Sequence, residues 1–266
     1  MSLVQLPNIR KIFVPDQNYV IFDADLSGAD AQVVAWEAGD EDLKTAFRAG
    51  VKIHLKNCED MFNLTFSEED LRNEVHKSKS NPKGKKYDEC KRAVHATNYG
   101  ASANTLSRTP EIAWTVHESH NFQRKWFGLH PGIKKWHDYI ANCLKTNRTV
   151  ENKFGYRRIF FDRIDSVFPE ALAWIPQSTV ALVTFRGAEQ LERECPWAEI
   201  LMQVHDSLVF QVPSRFAQEY GKIYSALRVP IPYADELIIP WGLASSPVSW
   251  GDCKAVKELR PNGALN

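Results

Sequence analysis

The sequence predicts an α+β fold, on three observations. Residues 18–26, which contain YVIFDADL, and 199–213, EILMQVHDSLVFQVP, are dense in β-branched and aromatic residues and read as strands. Between them run stretches of helix formers punctuated by Gly and Pro. The chain has 266 residues, 44% hydrophobic and 25% charged, which suits one large globular domain or two modest ones and excludes a disordered or fibrous protein.

Taken in order, the strand at 18–26 ends in acidic residues, and a helix follows over 28–36 with a break at Gly39. A second helix starts near Asp40, with Leu43, Phe47 and Ile53 as its apolar marks; Asp40 and Glu41 favour its N-terminus. KSKSNPKGKK at 77–86 reads as a basic loop, and the next helix runs over 87–99 and stops at Gly100. Helices are expected over 110–127 and 131–146, separated by His130-Pro131-Gly132. TVENKFGYRRIF at 149–160 reads as a hairpin, and 169–194 as a helix beginning at Pro169. The segment 199–213 is two apolar strands hinged at His205-Asp206, and ADELIIPWG is a last strand before Trp250. No internal repeat is visible.

Lys plus Arg and Asp plus Glu number 33 each, so bulk charge names no partner and only its distribution informs. Basic side chains crowd 77–92 and 145–163, while acidic ones gather at 37–42 and 59–70. Either run alone is read as a solvated face; together, flanking acid-tipped strands, they suit a polyanion held near a metal. The five cysteines are odd in number and scattered, with no CxxC spacing, which points to free thiols in a reducing cytoplasm and no zinc site. No apolar run approaches a membrane span, and MSLVQLPNIRK lacks the apolar stretch of a signal peptide.

Three constellations bear chemistry. Asp25-Leu26-Ser27-Gly28-Ala29-Asp30, at a strand end, offers a carboxylate and a following carbonyl to a hard cation, though such an Asp also serves as a helix N-cap. Lys91, His95 and Tyr99, four apart, form one helical stripe that suits a nucleotide's phosphates and base, or equally the aromatic side of an amphipathic helix. Gln203-Val204-His205-Asp206-Ser207 puts polar residues inside an apolar hairpin, a costly burial unless they bind a metal or satisfy a turn. Two separated carboxylates plus a triphosphate-facing lysine compose a two-metal phosphoryl-transfer site.

In order and spacing these segments resemble the palm and fingers motifs of family A DNA polymerases, the bacterial and phage replication-repair class. VIFDADLSGADAQVVAWEAGDEDLKTAFRAG with the following Ile53-His54 resembles motif A, KRAVHATNYGAS (91–102) motif B, and ILMQVHDSLVFQVP (200–213) motif C. HPGIKKW, FGYRRIF and IPQST between them fit too, and the resemblance runs from LVQLP at 3–7 to SWGDC at 249–253.

The resemblance implies a right-hand polymerase palm, an antiparallel sheet with packed helices, over 1–38 and 169–266, and helical fingers over 39–168. By it, Asp25 and Asp206 are the carboxylates for two Mg²⁺ ions (Mn²⁺ as a substitute), with Leu26 adding its carbonyl. Lys91 would contact the triphosphate and His54 the β-phosphate side, and Lys85 or Lys86 would substitute, from the adjacent turn, for a family arginine four residues before the lysine. Tyr99 would lie beneath the incoming base or the template position, with His95 where the family has Phe or Tyr. Asp30 would stand where the family has a glutamate that excludes a ribose 2′-hydroxyl. Gln177 and His205 would meet the template-primer and primer terminus, and Arg157 and Arg158 the DNA phosphates. The family arginine four residues before the lysine is Tyr87 here, and Ser207 stands where many members have glutamate.

The implied activity is template-directed addition of dNMP from dNTPs to the primer 3′-hydroxyl of primer-template DNA, in the cytoplasm (of the bacterial host, if phage-encoded) and away from membranes. Because thumb and 3′–5′ exonuclease are expected to be absent, a separate thumb-bearing chain is an expected partner. Two alternatives differ in class: a non-catalytic DNA-binding or assembly subunit (a degenerate paralogue keeping the fold), and a single-subunit RNA polymerase-like enzyme, against which Asp30 at the gate position argues.

Overall fold

The structure, a computed structural model, describes residues 7–256. In chain order it runs β1 (Tyr19–Leu26), α1 (Ala29–Glu37), α2 (Glu41–Arg48), α3 (Ile53–Phe62), α4 (Glu68–Arg72) and α5 (Pro82–Asn98). There follow α6 (Ala103–Ser107), α7 (Val116–Leu129), α8 (Pro131–Thr146), β2 (Thr149–Glu151), β3 (Arg157–Ile159) and α9 (Ile164–Glu194). The chain continues through β4 (Glu199–Val204), β5 (Ser207–Pro213), α10 (Tyr220–Ala226), β6 (Pro230–Ile231), β7 (Leu237–Ile238), β8 (Trp241–Ser246) and β9 (Lys254–Ala255). It divides into two compact units, one formed by residues up to Ala29 with those from Ser178 onward, the other by Asp30–Gln177.

The first unit is built on a five-stranded antiparallel sheet in the order β4-β5-β1-β8-β9. β5 is buried along its whole length except Pro213, as its run of apolar residues demands. On one face Phe22 of β1 stacks on its cross-strand partner Phe210, with centroids 5.3 Å apart. On the other face Ile21 clusters with Val209 and Trp250. The C-terminal half of α9 lies close on β8: a Cβ at Gly187 would sit 3.1 Å from the Trp241 ring.

The second unit is helical apart from the β2–β3 hairpin. α5, 17 residues long, buries Cys90, Ala93, Val94 and Thr97 and leaves Lys91 and His95 exposed on its other side. It ends where Gly100 adopts φ +76, a position where a side chain would also meet Leu172 at 2.9 Å. Thr115 and Glu118 form a capping box that starts α7.

Several expectations need correcting. The basic run 77–86 is only half loop. Asn81 caps Lys83 N–H, Pro82 takes the first helical position, and so Lys83, Lys85 and Lys86 belong to α5. Ile53 does not extend the second helix. Gly50, at φ +68, ends α2, and Ile53 opens α3. The helix expected from 110 begins at Val116, where the Thr115 cap stands. α9 begins at Ile164, before Pro169, and also runs through Pro176. Each proline removes one backbone bond, but Val167, Ala171, Leu172 and Ile175 are buried around them, and packing carries the helix. The ADELIIPWG strand is interrupted at Pro240, leaving β7 and β8 as separate strands. No described helix is long and apolar enough to cross a membrane.

Candidate active site

In the first unit the hairpin β4–β5 turns through His205 and Asp206, with Val204 paired to Ser207. His205 is left-handed at φ +55, a conformation uncommon outside glycine but tolerated better by His, Asn and Asp. The turn closes on itself: Gln203 Nε2 donates to His205 O at 3.0 Å and Ser207 Oγ to Val204 O at 3.0 Å. Its tip is not buried as the pattern implied. Gln203 and His205 are exposed, Asp206 half-buried, and only Ser207 is enclosed. β1 runs beside β5, so Asp25 pairs with Ser207 and Leu26 N–H donates to Asp206 O at 3.2 Å. Backbone pairing thus brings the two strand ends together across 180 residues of sequence.

Among the described residues, the Asp25 and Asp206 carboxylates make no hydrogen bond or ion pair. Although Asp25 is exposed, loss of water around it, then the charge of Asp206 and then that of Asp23, push its carboxyl up to about 6, with Arg10 opposing. Asp23 was missed in the sequence. It lies two residues back on the same face of β1, takes Trp250 Nε1–H at 2.8 Å, and has Arg10 at 3.9 Å. Asp25 and Asp206, whose carboxylates are in no salt bridge among the described residues, offer the oxygens that a hard, oxygen-seeking divalent ion fits.

In the second unit Asp30, His54, Lys91, His95 and Tyr99 line one pocket, floored by Ala31, Val34, Val94 and Trp126. The stripe on α5 is therefore a pocket wall and not core. Tyr99 OH donates to Asp30 Oδ2 at 2.7 Å, and the His95 and Tyr99 rings meet edge to face at 4.5 Å. Burial, then the Asp30 charge and hydrogen bond, raise the Tyr99 phenol far above its ordinary range. Burial, then Lys91 and His95, push His54 down to about 4, leaving it a neutral imidazole at pH 7. His95 is also held down, by burial first and Lys91 second, with Asp30 opposing. Asn57 was missed as well. It is 5% exposed, lines the same pocket one turn beyond His54, and leaves its Oδ1 without a partner. The only sequence signal was its i+3 spacing from His54.

The remaining candidates are not gathered into that pocket. Lys86 donates to Glu89 at 2.9 Å and lies over the Phe62 ring. Arg157 donates to Glu151 at 2.5 Å and Arg158 pairs with Glu170. Gln177 is exposed on α9. Asp40, Asp42 and His130 form a further cluster of ligand-type atoms. Its parts are already engaged. Asp40 caps Leu43 N–H and pairs with His130 Nδ1 at 3.0 Å, and Asp42 accepts from Lys56 at 2.7 Å.

The thermostable DNA polymerase I of Thermus filiformis is 33% identical over 224 residues, covering 79% of this chain and 25% of that protein. DNA polymerase I of Geobacillus stearothermophilus is 28% identical over 242 residues, covering 84% and 26%. The chain thus spans about a quarter of the length of these curated relatives. The fold is like that of the POL domain of Pol1 from M. smegmatis, solved in complex with DNA primer-template and dNTP. Its TM-score is 0.75 at 18% identity, over 91% of this chain and 42% of that one. The model of DNA polymerase family A matches residues 4–229, and with that match across most of its length the chain belongs to DNA polymerase family A.

Proposed function

We propose that this chain is the catalytic core of a template-directed DNA polymerase, transferring dNMP from a dNTP to a primer 3′-hydroxyl. The observation that carries the reading is the pair Asp25, near the end of β1, and Asp206, in the turn beside it, whose carboxylates make no hydrogen bond or salt bridge among the described residues. They would hold Mg²⁺, or Mn²⁺ in its place, with the Leu26 carbonyl as a further oxygen. Bound there, the ions supply charge neutralisation at the leaving pyrophosphate and a lowered pKa at the attacking hydroxyl.

The chain's own residues do the rest. Lys91 binds the triphosphate and, as negative charge shifts toward the leaving group, stabilises it. His54, neutral at pH 7, hydrogen-bonds a phosphate oxygen on the β side. Tyr99 and His95 present rings to the incoming base, and Asp30, oriented by Tyr99, excludes a ribose 2′-hydroxyl. Gln177 and His205 position template-primer and primer terminus. Arg157, Arg158 and Lys86 reach phosphates by exchanging Glu151, Glu170 and Glu89 for the stronger polyanion. In this reading 1–38 and 169–266 form the palm and 39–168 the fingers. DNA grip is completed by a thumb-bearing partner chain, and the enzyme works in the cytoplasm, where its free cysteines stay reduced.

A second reading, a non-catalytic DNA-binding or assembly subunit, is favoured by Tyr87 in the motif arginine's place and by the ion pair that occupies Lys86. Primer extension with Mg²⁺ or Mn²⁺ separates the two, run with and without a thumb-bearing chain. The polymerase reading expects extension by the natural chain and none by Asp25→Ala or Asp206→Ala; no extension under any condition leaves the assembly subunit.

A further inference from the structure

Tyr99 is bracketed by hydrogen bonds from α7 and α8. Trp126 Nε1 donates to Asn98 Oδ1 at 2.8 Å, and His137 Nε2 lies 2.9 Å from Asn98 O. A carbonyl oxygen only accepts, so the His137 ring carries a proton on Nε2 and donates there. Gln123 Nε2 donates to Ala101 O at 2.6 Å. All three donors thus act within two residues of Tyr99. Among the described residues, α7 and α8 send α5 no hydrogen bond upstream of Thr97. The donors are themselves held. The Trp126 ring meets that of His130, with centroids 4.2 Å apart, and His130 pairs with Asp40. The His137 ring meets Phe127 and Phe168 edge to face. Asn98, Trp126 and His137 are all buried.

A buried asparagine is not what stability asks for at this point. Apolar groups of the same shape in place of the Asn98 amide and the Trp126 N–H would serve it nearly as well, because a buried hydrogen bond largely replaces one made to water. What a directional bond adds is orientation. The residue oriented is Tyr99, which lines the pocket together with Asn98 and Trp126 and donates its hydroxyl to Asp30 Oδ2. Gly100, at φ +76, ends the helix immediately afterwards, so no further helical turn holds Tyr99 from the other side.

We propose that Asn98 is a positioning residue for sugar discrimination: pinned by Trp126 and His137, it fixes the Tyr99 backbone so that the phenol meets Asp30 and holds that carboxylate against a ribose 2′-hydroxyl. This rests on the polymerase reading above and deepens its account of the gate. Neither Asn98 nor Trp126 touches the nucleotide in it; both act through Tyr99.

The test compares ATP with dATP, by calorimetric titration of the whole chain and by competitive primer extension. Asn98→Leu keeps a side chain of similar shape and removes the acceptor. Trp126→Phe keeps a ring against His130 and removes only the donor, and it carries the test should Asn98→Leu not fold. Each is expected to raise ATP relative to dATP about fivefold, in affinity and in incorporation, the scale of one lost hydrogen bond. In a Tyr99→Phe chain, Asn98→Leu is expected to add nothing to that ratio, because its effect runs through the phenol. A network that merely holds the fold together would weaken both nucleotides alike. An unchanged ratio in a folded variant therefore overturns the proposal, as does a full further effect in the Tyr99→Phe chain. A chain whose affinity ratio shifts in these variants yet never extends a primer refutes the polymerase reading alone. One that extends primers with the same ratio in natural and variant forms refutes this inference alone. A natural chain that neither binds a nucleotide nor extends a primer overturns both.

Discussion

The Tyr99 hydroxyl and the Asp30 carboxylate are joined at 2.7 Å, across 69 residues of sequence. The phenol donates, so the carboxylate is held toward the ring that lines the pocket. Asp30 is one methylene shorter than glutamate, and under the polymerase reading the reach of this carboxylate sets how closely a 2′-hydroxyl is screened. Asp30→Glu is expected to lower ribonucleotide incorporation relative to deoxynucleotide in a competitive extension assay. An unchanged ratio would remove Asp30 from the gate. Tyr99→Phe, which frees the carboxylate to swing, should raise ribonucleotide incorporation.

Asp25 gives a pH dependence with a definite sign. Its carboxyl is raised in the fold, from 3.8 to about 6, so between those values the folded chain binds a proton that the unfolded chain has released. Stability of the metal-free protein therefore falls as pH rises through that window. Asp25→Asn should raise the metal-free Tm at about pH 7.5, modestly because the residue is exposed, and the gain should vanish below about pH 4. Mg²⁺ should raise the natural chain's Tm at about pH 7.5 and less at about pH 5.5, where protons compete, and should not raise that of Asp25→Asn. Differential scanning fluorimetry reads all three.

The buried pair of Asp40 and His130 ties the start of α2 to the corner between α7 and α8. Burial raises the Asp40 carboxyl, but the His130 and Leu43 hydrogen bonds outweigh it and the net shift is downward. A depressed carboxyl contributes stability above its unfolded value of 3.8, lost as pH falls through the lower folded value. His130→Phe leaves Asp40 Oδ2 buried and unpaired and should cost about 2–4 kcal/mol in urea unfolding at neutral pH. A loss under half a kilocalorie would show that the pair is dispensable.

His205 separates stability from activity. Its left-handed backbone penalises β-branched residues most, so His205→Val is expected to cost about 1–2 kcal/mol. His205→Gly relieves the strain but gives up entropy in the unfolded chain, and should change stability by less than about 1 kcal/mol. Under the polymerase reading His205→Gly nonetheless slows extension, because the imidazole at the primer terminus is gone. Full activity in a stable His205→Gly protein would assign the histidine to the turn alone.

The strands were legible because their residues are β-branched, aromatic and apolar: β1, β4 and β5 fall within a residue of where the pattern put them. Helix starts were harder. The lysine-rich 77–86 segment looked like a loop by composition, yet Asn81 and Pro82 cap and open α5 there, a local signal that the charge run obscured. α9 passed through two prolines because tertiary burial outweighed a local penalty.

Of the candidate sites, the sequence by itself determined which residues to nominate: an acid near the end of one strand, another at a hairpin turn, and a Lys-His-Tyr stripe at helical spacing. Periodicity and residue type are local, and both survive in a bare string of letters. Only the tertiary structure decided what those residues meet. It set the charges of Asp23 and Asp206 near Asp25, left the Asp25 and Asp206 carboxylates in no salt bridge among the described residues, and closed Asn57 and His54 into one pocket. It also spent Lys86, Arg157 and Arg158 on neighbouring carboxylates. Charge compensation and desolvation depend on distances between residues far apart in the chain, and no spacing along the sequence encodes those distances.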